Sequence, residues 1–358
     1  MERFVLKYFT LIRTIIAILL GMVISVVLIY IISEVPGYSL KQFFLGQLLS
    51  KSRLANIAET ASPMIFTGVA IAIAFQARQF NVGAEGAFYL SAAVATAFAV
   101  STAMPAVFHV PLTLMVAAAA GAVFGFVPGY LKAKFHASEL VASLMMNYVA
   151  YYLGLYLINH HFRDKDAGFL VSLRLPETAW LAQVAVGTRL HWGILLSLIT
   201  ALLGYYFLYH TTTGYEIRTT GNNRNFARFG GINVIRIIIL SQVIMGAVAG
   251  VGGMTEVMGI HRRFNWQMTP GYGWDGVVVA IIARNHPLLI IPAAIFLSYM
   301  RVGGQVLNLM SDVPSELVSV IQAVIIILIT AEAFLKQWKD RITIRQAARE
   351  EAVHESAS

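Results

Sequence analysis

The chain has 358 residues, 58% of them hydrophobic and 12% charged, about half the roughly 25% charge of an ordinary soluble domain. Apolar runs of about 20 residues recur from end to end, the length that crosses a hydrocarbon core of roughly 30 Å as helix, so composition predicts an all-α polytopic membrane protein and excludes a soluble globule. The net charge of +8 lies in short loops between apolar runs, a topology signal rather than a nucleic-acid footprint, and the absence of cysteine excludes disulfides, thiol catalysis and thiolate metal sites.

Taken in order, Arg3, Lys7 and Arg13 precede an apolar run over residues 14–32. It is too long for a signal-peptide core and lacks a small-x-small cleavage site, so it reads as a retained first span. Further spans are predicted near 56–75, 88–104, 110–131, 139–158, 191–209, 235–257 and 316–335. Segments 275–283 and 288–300 are short for a full crossing and are separated by Arg284, Asn285, His286 and Pro287. Counted as partial helices they bring the total to about ten and place both termini on one side. With the termini inside, 16 Lys and Arg fall on the inner side and ten on the outer, so the positive-inside rule favours cytoplasmic termini. Residues 1–335 then form the membrane domain, and 336–358 a polar cytoplasmic tail.

Polar residues within apolar segments need a partner or a water-filled cavity. Asn56, Glu59 and Ser62, spaced three apart before Pro63, share one helix face, with Pro63 able to kink it. Glu59 is an interfacial carboxylate or a pathway residue. In FQARQFNVGAEGAF (75–88), Asn81 is suited to unusual dihedrals or to capping a helix that begins near Gly86. FNVGAEG is either a cytoplasmic turn or a re-entrant break lining a path. Gly121, Gly125 and Gly129, and Gly246 with Gly250, repeat every four residues and mark seams where helix backbones approach closely, within the protomer or at a dimer interface. Glu139, Ser143, Asn147 and Tyr151 form a period-four stripe that either bonds helix to helix or lines a translocation cavity.

The loop 211–236 carries Gly214, Gly221, Gly230 and Gly231 as punctuation, with Asn222 and Asn223 suited to cap a short helix over about 224–229. Such a helix needs a partner surface to be stable; a solvated connector is the alternative. Farther on, MGIHRRFNWQMTPGYGWD (258–275) reads as an interfacial belt holding Trp266, Tyr272 and Trp274, or as a docking surface. The nine histidines are dispersed, the adjacent His160 and His161 reading as loop residues, and no nucleophile-base-acid set stands out, which argues against an enzyme and against a metal centre. A secondary transporter is the rival on these grounds, because partial helices and intramembrane carboxylates occur there too.

GYEIRTTGNNRNFARFGGINV resembles the cytoplasmic coupling loop of permease subunits of bacterial ABC importers in the branched-chain amino acid, ribose and nucleoside group. FNVGAEGAF, FHASELVASLMMNYVA and GYGWDGVVVAIIARNHP resemble further segments of that group, the second pointing to its nucleoside and simple-sugar branch. The motifs fall in order over about 55–335, with departures at Ala87, Met146 and Phe226. The resemblance implies a permease subunit in the bacterial cytoplasmic membrane that forms the path for a nucleoside, or alternatively a ribose-like sugar. It implies two permease chains, in this branch often two different ones, an ATP-binding subunit that carries the ATP and magnesium, and an extracytoplasmic substrate-binding lipoprotein. The lack of a G-x-x-x-x-G-K-[ST] run agrees with nucleotide hydrolysis on another chain. Path candidates are Asn81, Glu85, Glu139, Ser143 and Asn147. Coupling candidates are Gly214, Glu216, Arg218, Gly221, Asn222, Arg224, Ala227 and Gly230. No cofactor or catalytic residue is expected on this chain.

Overall fold

A computed structural model of the chain describes residues 19–311, other than 21, 185 and 186, and beyond them only 313, 320, 323, 324 and 327. The first residues of the expected 14–32 span, the continuous extent of the 316–335 span and the 336–358 tail lie outside them. Two compact units are present, one of residues 48–302 and one of residues 1–47 with 303–358. In the latter, α1 (Met22–Ile32) is followed by α2 (Pro36–Phe44), which starts on proline, a residue preset for the first helical turn.

The larger unit is built of helices, with long connections, largely non-helical, at 162–192 and 262–271. Its elements are α3 (Lys51–Gln76), α4 (Ala84–Ser101), α5 (Ala106–Phe135), α6 (Glu139–His161), α7 (Gly193–His210), α8 (Thr212–Asn222), α9 (Arg224–Phe229), α10 (Val234–Glu256), α11 (Tyr272–Ile282) and most of α12 (Pro287–Met310). Among the described residues there is no β-strand, only isolated bridges at Arg163–Ser172 and Gln183–His191. Seven helices, α3 to α7, α10 and α12, are long and apolar enough to cross a membrane.

The centre is α3, which is buried on every side from Ala61 to Ala74, as an apolar helix enclosed by others must be. It packs on α10, α11 and α7. On its far side α10 lies along α5 through the predicted glycine seam: a methyl at Gly121 would overlap the Gly246 carbonyl, one at Gly125 the Gln242 carbonyl, and one at Gly250 the Ala117 carbonyl. The seam joins two helices of one chain, with hydrogen atoms alone between the backbones, the packing that serves where lipid supplies no hydrophobic drive.

Several expectations need correction. Segment 288–300 belongs to α12, 24 residues long. Its charge, Arg301, pairs with Asp275 of α11, and a neutralised charge need not end a helix. The 211–236 loop contains a second helix, α8, because Gly214 and Gly221 mark close backbone approach rather than turns: a methyl at Gly214 would overlap the Phe207 carbonyl and one at Gly221 the Gln76 carbonyl. Helix α4 begins at Ala84, and the unusual dihedral in the break falls on Arg78 (φ 50°) rather than Asn81. His160 and His161 form the last turn of α6. Trp266 is buried against Phe88, Tyr89 and Phe264 rather than set in a belt, whereas Trp274 is exposed.

Candidate functional site

The break between α3 and α4 is held by its own Asn81 and by side chains of α6 and α10. Asn81 accepts from the Gly83 amide through Oδ1 (2.5 Å) and donates through Nδ2 to Gln242 Oε1 on α10 (2.5 Å). From α6, Ser143 Oγ accepts from the Val82 amide (3.2 Å). Asn147 brackets the segment, accepting from the Gly86 amide (2.9 Å) and donating to the Val82 carbonyl (3.1 Å). Buried backbone outside a helix survives at membrane depth only when it is satisfied in this way. The inner edge of α6 carries the polar stripe because 82–86 lies opposite it. Glu139, at the start of α6, pairs with Lys132 of α5 (2.7 Å), and Tyr151 donates to the Gln267 carbonyl (3.0 Å).

Glu85 reaches the other way. Buried at the start of α4, its Oε1 accepts from the Gly271 amide (2.7 Å) and its Oε2 from the Gly273 amide (2.5 Å). Gly271 has φ 86°, open to glycine at little cost, and this turns the 262–271 connection so that both amides face the carboxylate. Gly273 and Gly276 let α11 lie directly on Glu85 and Thr67, and the Tyr272 carbonyl accepts from Thr67 Oγ1 (2.8 Å). Asn81 and Glu85 therefore tie α4 to α10 and to the start of α11.

The break also meets the 211–236 loop. Gly221 of α8 sits against the Gln76 carbonyl, and Gln76 Nε2 donates to the Asn285 carbonyl in the turn between α11 and α12 (3.1 Å). Thr211 Oγ1 caps α8 by accepting from the Gly214 amide (3.0 Å), and Arg218 binds the Leu208 carbonyl (2.9 Å) while lying over the Tyr209 ring. Asn223 caps α9, accepting from the Asn225 and Phe226 amides at 3.0 and 3.1 Å; Asn222 ends α8. Ala227 anchors α9 against Ala133, Val234 and Ile238. Its neighbours Phe226 and Phe229 stand 63% and 94% exposed. Arg224 and Gly230 are exposed and Glu216 half-buried.

A polar group that sequence reasoning did not assemble lies among α3, α10, α11 and α12. Tyr272 donates to Glu256 Oε1 (3.3 Å), Arg301 pairs with Asp275, and the Arg301 guanidinium lies 5.2 Å from the Tyr272 ring centre. Oε2 of Glu256 and of Glu59 are buried without a hydrogen-bond partner, and Glu256 runs into a π turn at Val257–His261, an irregularity frequent at functional sites. The signal was four charged residues, Glu59, Glu256, Asp275 and Arg301, in four separate apolar segments. Removing one member of a charge pair set among apolar helices costs about 3 kcal/mol, more than removing both, and here both side chains are partly buried. Arg301→Met should therefore destabilise the chain by about that amount, and Arg301→Met with Asp275→Leu by less than half of it. Thermal unfolding of the four members of this cycle checks the ordering.

The family model described as branched-chain amino acid transport system / permease component matches residues 53–330. The chain belongs to this family of membrane permeases. Its relatives include the guanosine ABC transporter permease protein NupP of Bacillus subtilis, 34% identical over 75% of this chain and 78% of the relative. The glucose ABC transporter permease protein TsgB13 of Haloferax volcanii is 30% identical over 83% and 80%. The nucleoside ABC transporter permease protein NupB of Lactococcus lactis is 27% identical over 90% and 91%. No solved structure matches the chain. The resemblance read from the motifs, to ABC importer permeases of the nucleoside and simple-sugar branch, is borne out, and the chain is a multi-pass membrane protein.

Proposed function

We propose that this chain is one permease subunit of an ATP-driven importer that carries nucleosides across the cytoplasmic membrane, with residues 1–335 as its membrane domain, both termini cytoplasmic and the 336–358 tail inside. The NupP and NupB relatives support the nucleoside; TsgB13 keeps a simple sugar as the second reading. A second permease chain, different from this one, completes the path. A substrate-binding lipoprotein delivers the solute from outside, and an ATP-binding subunit supplies the energy.

The observation that carries this reading is the physical route from the exposed face of α9 to the α3–α4 break. Phe226 and Phe229 face outward on a helix anchored by Ala227, and α8, next in line, rests on the Gln76 carbonyl at the mouth of the break. Large exposed aromatics on an anchored helix make a docking surface. A push on α9 reaches Gln76 through α8, and from there Asn81 and the turn at Asn285. Asn81, Glu85, Glu139, Ser143 and Asn147 hold the wall of the path. Gly214, Glu216, Arg218, Gly221, Asn222, Arg224, Ala227 and Gly230 build the coupling element.

Two measurements test it. In cells carrying the transporter, labelled guanosine uptake should be displaced by unlabelled nucleosides better than by ribose or glucose; the reverse ranking favours the sugar. Phe226→Ala with Phe229→Ala should reduce recovery of the ATP-binding subunit with the tagged permease about tenfold, as loss of two aromatic anchors does at an interface, while membrane insertion stays normal. Undiminished recovery would remove α9 from the coupling role.

A further inference from the structure

Glu256 closes α10 with only 4% of its surface exposed. The Tyr272 hydroxyl reaches its Oε1 at 3.3 Å, longer than the roughly 2.5–2.7 Å of a hydroxyl on an ionised oxygen. Its Oε2 is buried and, among the described residues, meets no donor. Glu85 shows what a buried carboxylate otherwise finds here: each of its oxygens faces a backbone amide, at 2.7 and 2.5 Å.

The neighbours of Glu256 add negative charge rather than cancel it. Asn81, just past α3, bonds Gln242, and Gly252 is seated on Phe66, so α10 runs antiparallel to α3. One turn farther, Glu256 comes level with Ser62, and Glu59 stands on the same face of α3 three residues beyond. The charge of Glu59 bears on both Glu256 and Tyr272, and its own Oε2 also lacks a donor. On α11 and α12, Asp275 already holds Arg301, the cation of this group. The other ionisable groups packed around it are engaged elsewhere. Arg189 is exposed and acts on Glu59. His191 accepts from the Gly193 amide, His261 meets Asn265, His109 of α5 meets Thr178, and Glu85 of α4 faces Gly271 and Gly273.

A carboxylate without a donor among apolar helices is far costlier than the neutral acid. A metal ion fits poorly as the neutralising partner, since among the described residues no three His, Asp or Glu side chains could share one. A solute fits poorly too, because Oε2 of Glu256 is closed to any water-sized group in this packing. We propose that Glu256 binds a proton in this arrangement and surrenders it to water when α10 and α11 part. The closed bundle then carries a neutral acid. The opened one carries two carboxylates, Glu256 and Glu59, whose repulsion opposes reclosure. Acid therefore favours closure and alkali opening, whichever solute the chain carries.

The proton has a direct signature in the infrared carbonyl stretch of a carboxylic acid. In the full chain returned to lipid at neutral pH, wild type should show one acid band that Glu256→Gln lacks. Glutamine keeps the shape of the side chain and stays neutral, so this variant should fold. The band should disappear as pH is raised, and in Glu59→Gln it should disappear about one pH unit lower or more, because a like charge that favours the proton is gone. A change of packing alone would not move that midpoint. Wild type and Glu256→Gln should unfold at like temperatures in acid. Above neutral pH Glu256→Gln should outlast wild type by at least about 5 °C, since the unfolded wild-type chain releases the proton that the folded one keeps. An acid band unchanged in Glu256→Gln, or one lost only in Glu59→Gln, would overturn the assignment. A midpoint unmoved by Glu59→Gln would overturn the facing of the two acids.

Discussion

Gly246→Ala and Gly125→Ala should each lower the thermal midpoint of the purified chain by roughly 6 to 12 °C, whereas Gly129→Ala should move it by no more than about 2 °C. The three changes add the same methyl group to the same seam, and the difference lies in what the methyl meets. At Gly246 it would overlap the Gly121 carbonyl oxygen, and at Gly125 the Gln242 carbonyl oxygen. Both are backbone atoms of helices held along their length, so neither can turn aside. The helices must part, and separating α10 from α5 unpacks every contact along the seam, a cost of about 3 kcal/mol on the scale of overpacked cores. At Gly129 the nearest atoms are Ile239 Cα at 3.2 Å and Gln242 Cβ at 3.3 Å, which a shift of a few tenths of an ångström relieves. Part of that strain is offset by the better helix propensity of alanine, about 1 kcal/mol. Equal midpoints for the three variants would mean that α5 and α10 are not held by backbone proximity.

What could be read in the sequence was whatever is encoded locally. The seam showed itself because its glycines repeat every four residues. Helix α9 could be placed because Asn223 caps it through its own side chain. The break at 77–83 was visible as polar residues between apolar runs. What escaped depends on residues distant in the chain. Gly221 looks like punctuation until the Gln76 carbonyl lies against it, and Arg301 looks like the end of a span until Asp275 pairs with it. Trp266 looks interfacial until Phe88 and Tyr89 enclose it. On α6 the polar stripe at 143 and 147 and the tyrosines at 148 and 152 are one residue apart. Periodicity finds the first stripe but not that it turns inward; the bonds from 82–86 decide that.

Glu85→Ala should abolish most solute uptake, a fall of more than about tenfold, while the chain still inserts. The carboxylate holds two buried amides, those of Gly271 and Gly273. Each amide left unpaired costs about 1 to 3 kcal/mol, and a bond to an ionised acceptor is roughly twice as strong as a neutral one. Losing both loosens the start of α11, an 11-residue helix too short to be stable by its own hydrogen bonds and therefore dependent on its attachments. Once released, α11 no longer presents Tyr272 to Thr67 and Glu256, and the wall between α4 and α10 opens on that side. Glu85→Gln should rescue little, because one half of its amide donates where two donors already point. Glu85→Asp should also fail, being one methylene short of both amides. Uptake normalised to inserted protein measures the functional loss. Proteolytic cleavage within 262–271 measures the release of α11, and it should rise in all three variants in the order Gln, Asp, Ala. Wild-type uptake by Glu85→Ala would show that α11 is held by its packing on α3 alone.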